Sequence, residues 1–216
     1  DWMIGLFRSG GPEQQRHAGL SQFLIDLKSS GISIRPIRDL TGHEDFNEAV
    51  FDDVFVPEDM LIGAEGNGWA QVTSELILER SGPERYMTTF PLMTAAAVEI
   101  GKDERLRNSD VSVEGLGRLV AHHAVIRQMS LSVNTALSRG EEPNTQAAMV
   151  KDLGNDLEQR VPTVVRELLD APPPGTSGSD VDRLLSFVTQ AAPSYSLRGG
   201  TREILRSIIA KSLSSQ

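Results

Sequence analysis

Gly66-Asn67-Gly68-Trp69-Ala70-Gln71-Val72-Thr73-Ser74-Glu75-Leu76-Ile77 is where the chain changes its period. Trp69, Val72, Leu76 and Ile77 recur at i, i+3, i+7 and i+8, the stripe of an amphipathic helix. Upstream, apolar residues come in short runs closed by turn formers. Residues 2–7 end in Ser9-Gly10-Gly11-Pro12, and residues 20–27 end in Ser29-Ser30-Gly31. Ile32-Ser33-Ile34-Arg35-Pro36-Ile37 alternates, with Pro36 steering it toward a sheet edge. Residues 46–57, rich in aromatic and β-branched side chains, hold one or two more strands. Four or five strands joined by short turns predict an antiparallel meander, part of a barrel or sandwich.

Downstream the spacing stays helical. Beyond the helix that opens at Gly68, helices are predicted over 91–100, 112–139, 145–169, 180–189 and 201–213. Arg139-Gly140-Glu141-Glu142-Pro143 is a stop and restart, and residues 171–179, with three prolines in succession, form the one linker-like stretch. The fold class is therefore α+β: a partial antiparallel β-barrel or sandwich over 1–62, then an antiparallel helical bundle over 63–216. Gly63-Ala64-Glu65-Gly66-Asn67-Gly68 lacks a P-loop lysine and a βαβ setting, so it reads as the hinge between the two.

Composition narrows the chemistry. With Lys+Arg 21 against Asp+Glu 30, the net charge is −9, which argues against a nucleic-acid partner. Zero cysteines exclude disulfides, thiolate catalysis and thiolate metal sites. The longest run free of charge, residues 184–197, is 14 residues and contains Pro193, too short for a membrane span. No presequence is visible, and a cytoplasmic location is expected. The opening Asp1-Trp2-Met3 looks like the interior of a strand, so the chain is expected to be a piece of a longer protein.

Three places offer chemistry. Metal binding is not expected: His122 and His123 are adjacent, so on a helix they point about 100° apart and cannot chelate from one face. In Glu79-Arg80-Ser81-Gly82-Pro83-Glu84-Arg85, Pro83 has no N–H to return to the Glu79 carbonyl, so a helix here must kink or restart. A carboxylate at that break, flanked by Leu76, Ile77 and Leu78, would suit proton abstraction if desolvated; a salt-bridged surface turn is the plain alternative. Arg198-Gly199-Gly200-Thr201 precedes an amphipathic helix with Ile204, Leu205, Ile208 and Ile209 inward. There glycines allow close approach to the backbone and Thr201 serves as N-cap, which suits an anion or a plain helix start.

Taken together, residues 31–37 with 46–57, Gly66-Asn67-Gly68-Trp69 with its helix through Glu79-Arg80, and Arg198-Gly199-Gly200-Thr201-Arg202-Glu203-Ile204-Leu205 resemble the acyl-CoA dehydrogenase flavoproteins. The resemblance covers nearly the whole chain, matching part of that family's middle β-domain and its C-terminal helical domain. It implies FAD as cofactor, an acyl-CoA thioester as substrate, a homodimer, homotetramer or heteromeric assembly, and an electron-transfer flavoprotein as acceptor. A glutamate in the family removes the proton α to the thioester while the β-hydrogen leaves as hydride.

Family members place that base at one of two positions. One lies just before the Gly-Thr opening the last helix, and here it is Gly199. The other, directly before an arginine in the helix after the Gly-Trp step, is Glu79; Glu84, followed by Arg85, is the competing assignment. By resemblance Arg80 lies at the substrate, and Gly200, Thr201 and Glu203 lie at the flavin. The family's Arg-x-x-Phe motif and its Gly-rich segment before the last helices have no match. Gly199 and these gaps leave a second reading, a non-catalytic or degenerate subunit that completes a partner's site; an acyl-CoA oxidase-like relative would share much of the same pattern.

Overall fold

The computed structural model describes residues 1–10, 17–171, 173 and 178–214. The far side of the first predicted turn, Gly11-Pro12, and most of the predicted linker, at 172 and 174–177, lie outside the described residues. The chain divides into two compact units, Asp1–Leu76 and Ile77–Gln216.

In the first unit, β1 (Trp2–Arg8), β2 (Leu20–Asp26), β3 (Ile32–Ile37), β4 (Phe46–Phe51) and β5 (Leu61–Ile62) follow one another. β1 pairs antiparallel with β2 from Trp2 opposite Asp26 to Arg8 opposite Leu20, and β5 adds to the far edge of β2. β3 and β4 form a separate antiparallel ribbon, Ile32 opposite Phe51 and Ile37 opposite Phe46. The expected meander is thus a three-stranded sheet and a two-stranded ribbon, and among the described residues it does not close into a barrel. The residues after β4 turn instead of extending: Asp53 takes a positive φ of 49°, and the strand signal at Val54–Val56 yields no ladder.

Helix α1 (Gly68–Ser81) crosses the division. The second unit continues with a 3-10 turn at Pro83–Arg85, then α2 (Phe90–Lys102), α3 (Glu104–Arg107), α4 (Asp110–Ser138), α5 (Asn144–Leu169), α6 (Asp180–Tyr195) and α7 (Arg202–Ser214). Side-chain caps fix several starts: Asp103 accepts from the Arg105 and Leu106 N–H groups, and the Ser109 and Ser179 hydroxyls accept from Ser112 and Asp182. Helix α6 runs six residues beyond its predicted end, through Pro193. One missing ladder bond is outweighed by Ala191, Ala192 and Tyr195, all buried on the same face.

Helix α5 is the hub, packed against α2, α4, α6 and α7. Ala147, Val150, Leu157, Val161 and Val165 are fully buried along it, each larger side chain contributing roughly 1.5–3 kcal/mol. Gly154 lies on the same face for a steric reason. A Cβ there would lie 2.3 Å from the Arg85 carbonyl oxygen, so only glycine lets α5 meet the 83–85 turn. No described helix is long and apolar enough to cross a membrane.

Candidate active site

Helix α1 ends at Ser81, and Gly82 is extended (φ −63°, ψ 154°), so Pro83 opens a new turn rather than kinking an old one. The buried Ser130 hydroxyl on α4 donates to the Ser81 carbonyl at 2.6 Å, satisfying one of the orphan acceptors at the helix end. The turn brings Arg85 back over α1. Its Nε donates to the Glu79 carbonyl at 2.9 Å, and its Nη2 meets Glu79 Oε1 at 2.5 Å. Arg85 is buried, while the Glu79 side chain keeps 40% of its exposure. The apolar flank foreseen for Glu79 does not bury it, since Leu78 is itself exposed; a guanidinium holds the carboxylate instead.

The turn joining α6 to α7 arrives at the same spot. Gly199 has φ +69° and Gly200 φ +108°. A Cβ built on Gly199 would lie 3.4 Å from Glu79 Oε1 and 3.6 Å from Lys151 Cε. The buried Arg80 donates from Nε to the Gly199 carbonyl at 3.0 Å, tying α1 to this turn. Burial pulls its guanidinium below the usual arginine value, against the favourable pull of Glu79. Thr201 directly precedes α7. The Glu203 carboxyl is held below its ordinary value by its own backbone N–H and the Thr201 hydroxyl, an N-terminal cap for the exposed first turn of α7.

Glu84 stands apart. Its side chain is half-exposed and lies 3.6 Å from Arg85 Nε, folded back over Gly82. The structure therefore brings Glu79, Arg80, Gly199 and Gly200 together, sets Thr201 and Glu203 at the adjoining helix start, and leaves Glu84 at the outer edge of Arg85.

Beneath the turn is a polar layer that the sequence reading did not single out. Lys151, Asn155 and Glu158 on α5 are fully buried. The Lys151 ammonium donates to the Tyr195 carbonyl at 2.8 Å and to Asn155 Oδ1. Desolvation, with repulsion from Arg85, pulls Lys151 down to about 8. Glu158 accepts from the Thr88 N–H at 3.1 Å, and Arg198 Nη2 stands 3.9 Å from its other oxygen. Burial pushes Glu158 up, and burial with Glu158 beside it pushes the Tyr195 phenol up to about 12. A signal did exist: residues 151, 155 and 158 fall on the stripe that Ala147, Val150, Gly154, Leu157 and Val161 define, where polar and charged side chains are out of pattern.

No family model matches the chain. The acyl-CoA dehydrogenase FadE34 of Mycobacterium tuberculosis is 28% identical over 213 residues, 98% of this chain and 28% of that protein. The Tcur3481-Tcur3483 steroid ACAD superposes over 100% of this chain and 56% of its own, with TM-score 0.84 and 20% identity. The ChsE4-ChsE5 complex from Mycobacterium tuberculosis superposes over 100% and 57%, with TM-score 0.79 and 22% identity. The chain thus spans little more than half of either solved chain. It is a mixed helix-and-strand chain with the acyl-CoA dehydrogenase fold. Acyl-CoA dehydrogenases are its homologues along its whole length.

Proposed function

We propose that the full-length protein is an FAD-dependent acyl-CoA dehydrogenase in which Glu79 takes the α-proton of an acyl-CoA thioester. The observation that supports this best is the meeting of Glu79 with Gly199. Glu79 and Gly199, the two base positions that the resemblance implies, are 120 residues apart, yet a Cβ at Gly199 would lie 3.4 Å from Glu79 Oε1, which supports a carboxylate from either serving the same bound thioester. Arg85 holds Glu79 by both its carboxylate and its carbonyl, which limits the rotamers available to the base. Arg80, buried under the Gly199 carbonyl, keeps the facing turn at a fixed distance from α1 and so shapes the space for the acyl chain.

The residues at the start of α7 suit FAD. Gly200 has no side chain to block close approach, Thr201 offers a hydroxyl, and the first N–H groups of a helix lack partners within it. Gly200, Thr201 and Glu203 are the residues of this chain that would hold the cofactor. When bound, FAD accepts the β-hydrogen as hydride. The strands of the first unit are read as part of the family's middle β-domain, residues 63–216 as its C-terminal helical domain. The partners proposed are a second dehydrogenase chain, identical or different, and an electron-transfer flavoprotein, with the protein acting in the cytoplasm.

The test is anaerobic mixing of the full-length, FAD-loaded protein with acyl-CoAs of graded length, following loss of flavin absorbance. Glu79→Gln is expected to slow reduction about 10²–10⁴-fold, with Glu84→Gln near wild type. Full reduction by Glu79→Gln, or its loss in Glu84→Gln alone, would reject the assignment.

A further inference from the structure

We propose that Lys151 is a positioning residue for the reaction at Glu79, clamping the end of α6 so that the Gly199 turn stays beside the carboxylate. The inference rests on the reading of Glu79 as base and names a residue that no resemblance assigns. Lys151 is fully buried in the N-terminal third of the hub helix, where a neutral side chain of similar length would pack without desolvating a charge. What the ammonium does there is specific. It donates to the Tyr195 carbonyl at the last residue of α6, where a helix leaves carbonyls without partners and its dipole favours a cation. Residues 196–199 follow at once and carry Gly199.

The stem of the same side chain completes the geometry. Its Cε lies 3.6 Å from the point where a Gly199 Cβ would stand, and Glu79 Oε1 lies 3.4 Å from that point. One residue therefore fixes the turn at its upstream end and backs the spot where the carboxylate sits. Four charges face it: Arg85 from the 83–85 turn, Glu158 from its own helix, Arg198 from the turn it holds and Glu79 from α1. Asn155, one turn along α5, orients the ammonium. Arg80 holds the same turn through the Gly199 carbonyl, so the loop is held by two cations, one at its upstream end and one at Gly199.

The experiment is hydrogen exchange by mass spectrometry on full-length wild type, Lys151→Met and Glu79→Gln, combined with steady-state kinetics on acyl-CoA. Lys151→Met keeps the stem and removes the ammonium. The expected result is about tenfold or faster exchange confined to the amides of residues 196–201, with kcat down at least tenfold and KM within about threefold. Unchanged exchange at 196–201, or a KM rise with kcat intact, would overturn the proposal. If Lys151→Met does not fold, Lys151→Gln is scored by the same two readouts. Full activity in Glu79→Gln would sink the base assignment instead, and the exchange result would still decide whether Lys151 clamps the turn.

Discussion

Glu79 and Gly199 share a site: a side chain begun at Gly199 would touch the Glu79 carboxylate at 3.4 Å. Moving the acid from one position to the other is therefore a geometric exchange. In the full-length protein, Glu79→Gln should lose most activity, and adding Gly199→Glu should return part of it. Recovery will be incomplete, because φ +69° at residue 199 costs a non-glycine residue about 1–2 kcal/mol. Turnover of the single and double variants checks this; a double variant no better than Glu79→Gln would deny that the two positions converge.

Arg85 touches Glu79 twice and is itself buried. With Glu79 as the proposed base, Arg85→Gln should cut kcat more than it raises KM, since Glu79 loses the guanidinium that orients it. Arg85→Lys should rescue little, because a single ammonium cannot hold both the carbonyl and the carboxylate in the fork geometry of a guanidinium.

Gly154→Ala places a methyl 2.3 Å from the Arg85 carbonyl. Backbone cannot swing away as a side chain can, so a cost of about 1–3 kcal/mol is expected, with Tm lower by several degrees. The turn carrying Arg85 has to move, and activity should fall with it. Gly117→Ala on α4, where a Cβ meets nothing within 4 Å, is the control and should leave Tm unchanged or slightly raised.

Lys151 sits at about 8 in the fold against an ordinary 10.5. Between those values the unfolded chain binds the extra proton and the native chain does not, so stability rises with pH across that window, by about 3 kcal/mol in total. Tyr195, pushed up to about 12, acts in the opposite sense above pH 10, where the unfolded phenol ionises first. Urea midpoints from pH 7.5 to 10 should climb in wild type and stay flatter in Lys151→Met. Parallel curves would show that Lys151 does not titrate in the fold.

Much of this was legible in the sequence. The period change at Gly68 located α1, and β-branched alternation located β3 and β4, because each element obeys its local rule. Extension of α6 past Pro193 was not legible, since burial of Tyr195 overrode a local breaker. Pro83 marked the break after Glu79 correctly, but the partner that break supplies, Arg85, depends on the turn's tertiary course. Glu84 and Glu79 look equivalent as Glu-Arg pairs; only the fold sets one beside Gly199 and the other at the edge. Lys151 was visible as a charge on an apolar stripe, yet its role needed the end of α6, 44 residues away.

The most direct test of Glu79 as the base follows the proton it is said to take. With FAD-loaded full-length protein in deuterium oxide, mass spectrometry of recovered acyl-CoA reports exchange of the α-hydrogen. Wild type should incorporate deuterium, and Glu79→Gln should bind the thioester yet exchange it at least about 100-fold more slowly. Exchange in Glu79→Gln at the wild-type rate would contradict the account.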